Sequence, residues 1–511
     1  MVARKWVVVA GAVAAAVIGT GVAVAVLARQ PSDASTVDWG PCPGRDGFDC
    51  ATLPVPLDPA RPDGPTIGIA LNRLPTTGAR IGALLVNPGG PGESGLDTVF
   101  EGRETFKDLV GRYDIIGFDP RGVGASGAVR CLDDRAMDAF TATNLNPTTP
   151  AERARVHDAL KGFADACAAH SPTILPFLGT ENVARDMDLI RAALGEDKLT
   201  YFGFSYGTRL GQVYAERFPA RVGRMVLDSV DNPAPGAGDP GGTPADDPVD
   251  GTDEAESALR DILRDCLRRT DCPVGPDENG AMARVDGLLA GLAAQPLPAD
   301  DGRRLTGSLA RAALFQATYS TDNWEQARTG LDQALHGRGD GLLALSDAYY
   351  HRDEQGRYTN ATAAFAAVTC LISDPDLPPG RTPEAVAAKM DADADSAARS
   401  SPHFGAWLYY SSQYCAYWPV PPTFTPHPIT AEGTPTILLV NNSRDAATPL
   451  DGAEAVAEAL SDARLVVADA DGHIAYGHGP CVDRIVNEYL LTGKAPAKEE
   501  SWPARRVTCP A

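Results

Sequence analysis

Seven short apolar runs recur along the chain: TIGIAL (66–71), GALLVN (82–87), YDIIGFD (113–119), KLTYFGF (198–204), RMVLDS (224–229), TILLVN (436–441) and ARLVVAD (463–469). Most are rich in Val, Ile, Leu and Phe without strict polar alternation, the signature of strands buried on both faces. Amphipathic stretches such as ENVARDMDLIRAAL (181–194) lie between them. Strands that alternate with helices specify an α/β class, with a mostly parallel central sheet and helices on both faces. The chain has 511 residues, 44% of them hydrophobic, enough for one large domain with an insertion or for two or three domains.

The alternation breaks between residues 232 and 432. A stretch rich in Gly, Pro and Asp opens the break, and helical patterns such as ESALRDILRDCLRR (256–269) and GSLARAALFQATY (307–319) follow. Little strand character returns before TILLVN. The expected organisation is a signal or anchor over 1–29, a tether and irregular lead-in over 30–65, the first part of the α/β core over 66–231, a large inserted helical cap over 232–432, and the rest of the core over 433–511.

Arg4 and Lys5 precede an uncharged stretch, residues 6–28, rich in Val and Ala. This is an export signal with its positive charge on the cytoplasmic side. Its length leaves a cleaved signal and an uncleaved membrane anchor both open. Ten cysteines follow, none in a CxxC and none at zinc spacing. In an exported chain disulfides are the default, although connectivity cannot be deduced from one sequence. Neighbour pairing is the expectation: Cys42–Cys50, Cys131–Cys167, Cys266–Cys272, Cys370–Cys415 and Cys481–Cys509. A formal net charge of −22 repels phosphate backbones and argues against a nucleic-acid partner.

Gly203-Phe-Ser205-Tyr-Gly207 follows a strand and opens a helical pattern, TRLGQVYAERF. In a chain with 51 glycines a bare GxSxG can arise by chance. Strand before and helix after is the context of a nucleophile elbow, where a tight turn leaves no room for flanking side chains. Serine needs a base and an orienting acid to act as a nucleophile. They are expected later in the chain, acid before histidine, each after a strand. Asp445 follows TILLVN and His473 follows ARLVVAD, so Ser205, Asp445 and His473 form the expected triad. Asp451 reads as a helix start, and Asp469 and Asp471 stand too close to the histidine in sequence. His478 remains a competitor for the base. Oxyanion donors are expected from the N–H of Tyr206 and, in the loop LLVNPGGPGESG (84–95), from that of Gly90. That loop lacks the endings of a P-loop or a dinucleotide fingerprint. The chemistry needs no metal and no cofactor.

These motifs carry a resemblance. NPGGPG (87–92), DPRGVGAS (119–126), ARDMDLIRAALG (184–195), YFGFSYGTRLGQVYAERFP (201–219), MVLDSVDNP (225–233), RDAATP (444–449) and GHIAYGHGPCVDRIVNEYLLTGKAP (472–496) together resemble the secreted tripeptidyl aminopeptidases of the α/β-hydrolase superfamily, close to proline iminopeptidases. The likeness runs from about residue 37 onward. It implies the α/β-hydrolase fold, the same triad, a C-terminal TAP-like part, and an exported serine peptidase that removes short peptides from free N-termini. There are departures. Glu93 follows GGPG where a small residue is usual, Ser229 stands where glycine is commoner, and CLISDPD (370–376) spaces its acid differently.

An aminopeptidase must hold a charged α-amino group, which a carboxylate does well. Glu93, beside the oxyanion loop, is one candidate; Asp322, Glu325 and Asp374 in the cap are others, with solvated surface acids as the bland alternative. The aromatic stretch FGAWLYYSSQYCAYWPVPP (404–422) either lines the cleft or packs beneath the cap. Two other classes stay open: an exported carboxylesterase or lipase on the same fold, and a non-catalytic binding protein built on it.

Overall fold

The computed structural model describes residues 36–234, 252–372, 382–497 and 506–510. Residues 1–29, read as an export signal, and Asp374 lie outside the described residues. The strands are β1 (Gly40–Pro41), β2 (Asp49–Pro56), β3 (Thr66–Leu74), β4 (Gly82–Asn87), β5 (Tyr113–Phe118), β6 (Leu199–Phe204), β7 (Val222–Asp228), β8 (Leu297–Pro298), β9 (Arg304–Leu305), β10 (Ile437–Arg444), β11 (Ala463–Asp471) and β12 (Arg506–Cys509). Ten of them form one sheet in the order β1-β2-β3-β5-β4-β6-β7-β10-β11-β12. From β5 to β12 every pairing is parallel, and β1, β2 and β3 add an antiparallel edge. This is an α/β-hydrolase fold.

Successive strand residues point to opposite faces. Leu85, Leu227, Leu439 and Val467 enter one apolar cluster, while Leu84, Val226, Leu438 and Val466 enter the other. Both faces are covered, which is why these runs lack polar alternation.

Five strands fall outside the seven apolar runs: the short β1, β8, β9 and β12, and the eight-residue β2. Asp49–Pro56 falls in the stretch read as irregular lead-in, because Pro54 and Pro56 argue against a strand interior. It pairs with β3 along its whole length, whereas β1 touches only Asp49 and Cys50. The prolines therefore face a side with no neighbour to receive their missing N–H groups.

Between β7 and β10 the described residues are mainly helical, running from Thr252–Leu267 to Gly405–Ser412, with the short β8–β9 ribbon among them. They build a core of their own, including Leu259, Leu263, Leu314, Phe315, Phe404 and Trp407. Phe404 and Trp407 are fully buried there, and Tyr410 and Tyr414 pack on the sheet side, so this part of the aromatic stretch is packing. Five disulfides join Cys42 to Cys50, Cys131 to Cys167, Cys266 to Cys272, Cys370 to Cys415 and Cys481 to Cys509. Such bonds persist in an oxidising compartment. No helix among the described residues is long and apolar enough to cross a membrane.

Candidate active site

Four adjacent strands deliver the site. β6, β7, β10 and β11 lie side by side and parallel, and they end beside Ser205, Ser229, Asp445 and His473 respectively. Residues far apart in sequence meet because parallel strands finish on the same edge of the sheet.

Ser205 sits between β6 and the helix Tyr206–Arg217 with φ 54° and ψ −128°, a strained conformation for a residue with a side chain. The flanking glycines are required by close approach. A Cβ on Gly203 would stand 2.3 Å from the Gly207 carbonyl oxygen, and one on Gly207 would stand 2.6 Å from that of Asn87. Tyr206 and Tyr201 pin the turn: Tyr206 shares a 2.8 Å hydrogen bond with Thr180 Oγ1, and Tyr201 donates to the Gly207 carbonyl at 2.8 Å.

The loop over residues 87–92, expected to supply an oxyanion donor, lies against this turn. A Cβ on Gly89 would stand 2.4 Å from the Phe204 carbonyl oxygen and 2.9 Å from the Tyr206 nitrogen. The Gly89 N–H donates to Asn87 Oδ1 at 3.0 Å. Among the described residues the N–H groups of Gly90 and Tyr206 have no partner. Asp119 fixes the far side of the loop, accepting from Ser94 Oγ at 2.6 Å and from the Ala125 N–H at 2.8 Å.

Asp445 and His473 are in contact. His473 Nδ1 lies 2.9 Å from each oxygen of the Asp445 carboxylate. Asp445 also accepts the N–H groups of Ala447 and Thr448 and the hydroxyls of Thr448 and Ser229. Burial acts to raise its pKa, but the His473 charge and these donors outweigh it and hold the carboxyl below its usual range. Burial acts to lower the His473 pKa, but the Asp445 charge and hydrogen bond prevail and raise it. No hydrogen bond joins Ser205 to His473 among the described residues; unliganded sites often hold such pairs apart. The link runs through β7. The Ser205 N–H donates to the Asp228 carbonyl at 2.9 Å, and the Asp228 carboxylate accepts from the Tyr476 N–H at 2.8 Å.

The competing residues are engaged elsewhere. His478 is exposed. Asp469 and Asp471 bind Arg444 at 2.7 and 2.6 Å, and Asp451 lies in the first turn of its helix. Glu93 lies 2.7 Å from His351 Nε2, and both side chains are about one-third exposed. Burial works against the His351 charge, yet the Glu93 hydrogen bond and charge raise its pKa. Asp322 and Glu325 are exposed in and just after the turn Thr321–Asn323, with no hydrogen bond or ion pair to the elbow among the described residues. Sequence reasoning missed Asp228, His351 and Tyr319 and saw Ser229 only as a departure. The position of Asp228-Ser229 at the end of an apolar run, in a sequence whose other runs end beside Ser205 and Asp445, was the one signal available for that pair.

Residues 401–502 match the family described as TAP-like protein. Serine protease Hip1 of Mycobacterium tuberculosis is 35% identical over 490 residues, 91% of each chain. Carboxylesterase B of the same species is 37% identical over 457 residues, 88% of this chain and 85% of that one. Tripeptidyl aminopeptidase of Streptomyces lividans is 33% identical over 515 residues, 96% of this chain and 89% of that one. With relatives of that identity along nearly its whole length, the chain belongs to the TAP-like, tripeptidyl aminopeptidase family of α/β-hydrolases.

Proposed function

We propose that the protein is an exported serine peptidase that releases short peptides, tripeptides in the first instance, from free N-termini. The observation that carries the reading is the His473 Nδ1 contact with Asp445, 2.9 Å to each carboxylate oxygen, at the edge where the Ser205 elbow emerges. His473 takes the proton of Ser205 Oγ through Nε2 as that oxygen bonds to the scissile carbonyl carbon. The Gly90 and Tyr206 N–H groups receive the resulting oxyanion. His473 then gives the proton to the departing amine as the C–N bond breaks. Water enters by the reverse steps and frees the acyl-enzyme.

Glu93 is the group proposed to hold the substrate's ammonium. It stands two residues beyond the oxyanion loop's proline, and its partner His351 fixes one carboxylate oxygen. The segment between β7 and β10 serves as a cap over the site, with the proposed boundaries 232–432. Export follows from the residue 1–29 segment, as a cleaved signal or as an anchor; the five disulfides support it.

The relative named carboxylesterase B, 37% identical, favours a second reading as an esterase. The two differ in the leaving group alone. Peptidyl-aminomethylcoumarins with free and with acetylated N-termini, assayed beside p-nitrophenyl esters, separate them. Cleavage of the free peptides and not of the acetylated ones supports the aminopeptidase, and turnover of esters alone would end it. Ser205→Ala should abolish turnover and fluorophosphonate labelling; wild-type activity in that variant would remove the triad.

A further inference from the structure

β7 ends between the strand that carries the nucleophile and the strands that carry the acid and the base. Its last residue, Asp228, and the next, Ser229, are both fully buried. Ser229 has φ 60°, a left-handed conformation that is costly for a residue with a side chain. Its Oγ donates to Asp445 Oδ2 at 2.8 Å and accepts the Ile474 N–H at 2.8 Å. The Asp228 carboxylate accepts the N–H groups of Ala475 at 3.1 Å and Tyr476 at 2.8 Å. Two adjacent side chains thus capture three successive amides directly after His473.

The captured loop is itself strained. Ile474 has φ 72°, rare for a β-branched residue. A loop free to relax would leave that conformation and carry the neighbouring imidazole with it. Bonds to Asp228 and Ser229 oppose the relaxation. The same dipeptide reaches the nucleophile, since the Asp228 carbonyl accepts the Ser205 N–H at 2.9 Å.

We infer that Asp228 and Ser229 are positioning residues for the hydrolytic centre: they aim His473 by holding the amides behind it, and Ser229 also orients Asp445. The inference rests on the triad proposed above. It has an electrostatic consequence. His473 is faced by Asp445, Asp228 and Asp231 and by the Tyr319 ring from the cap. Removing the Ser229 hydroxyl takes one donor from Asp445. The carboxylate is then less compensated and attracts the imidazolium more strongly, so the acid limb of activity moves to higher pH. A residue that only filled space would leave that limb in place.

The test is steady-state hydrolysis of a peptidyl-aminomethylcoumarin by Ser229→Gly and Ser229→Ala across pH, beside wild type and His473→Ala. Glycine accepts the left-handed φ and alanine does not, so the two variants differ in stability while sharing the lost hydroxyl. Both are expected to lose about 10- to 100-fold in kcat, with KM held within about 2-fold and the acid limb moved up. Ser229→Gly is expected to melt above Ser229→Ala. A Ser229→Gly enzyme with wild-type kcat, or one whose loss leaves the acid limb unmoved, overturns the positioning role. An active His473→Ala would overturn the triad itself. An inactive His473→Ala beside a Ser229→Gly enzyme of wild-type kcat would overturn the present inference alone.

Discussion

The carbonyl oxygen of Tyr319 accepts the backbone N–H of His473 at 2.8 Å, and the Tyr319 ring stands edge-on to the imidazole with centroids 5.2 Å apart and planes at 84°. Tyr319 caps the C-terminal end of the helix Gly307–Thr318, in the segment between β7 and β10. The helical insertion is therefore bonded to the loop that bears the proposed base. Tyr319→Leu keeps the carbonyl and removes the ring edge. Aromatic edge contacts contribute about 0.5–1.5 kcal/mol, so kcat should fall by up to about 10-fold, whereas Tyr319→Phe should stay near wild type. Unchanged kcat in the leucine variant would show that the ring does not steady the imidazole.

The pH profile follows from the sign of the His473 shift. His473 works as a base only when neutral, and its pKa is raised by Asp445. The activity should rise through an acid limb that lies above the ordinary histidine range. Asp445→Asn removes the charge that raises it while burial remains, so the limb should move down, and kcat should fall by about 10⁴-fold. A limb that stays put in Asp445→Asn would mean that another group is being titrated.

Glu93 carries the expectation for substrate charge. A hydrogen bond to an ionised group contributes about 1.5–3 kcal/mol, or about 10- to 100-fold. Glu93→Gln should raise KM by that factor for peptides with a free amino terminus and leave acetylated or ester substrates unchanged. An equal loss on both kinds would assign Glu93 to the shape of the loop instead.

Two glycines should respond in opposite directions. Gly203→Ala places a methyl group 2.3 Å from a carbonyl oxygen that cannot move without opening the elbow, and should abolish activity and lower folded yield. Gly287 lies exposed within the helix Glu278–Ala294, with nothing within 4 Å of an added Cβ. Gly287→Ala should stabilise the protein by about 0.5–1 kcal/mol. Urea denaturation and specific activity measure both.

The parallel strands and the expected triad residues could be read from the chain because their signals are local. An apolar run names a buried strand, and the loop after it is where such a sheet exposes chemistry. Ser205, Asp445 and His473 each follow such a run. Strand β2 was hidden because its prolines argue against a strand unless the open side of the neighbouring pairing is known.

Side-chain order alone set the fold class, the strand ends and the residue types offered for catalysis. The contact of His473 Nδ1 with Asp445, the capture of Asp445 by Ser229, the meeting of Glu93 with His351 and the seat of Tyr319 on the proposed base all required the folded molecule. Each joins groups from different parts of the chain. Periodicity and turn chemistry act over a few residues, whereas these contacts arise only when distant strand ends are brought to one edge and the segment between β7 and β10 is bonded to it.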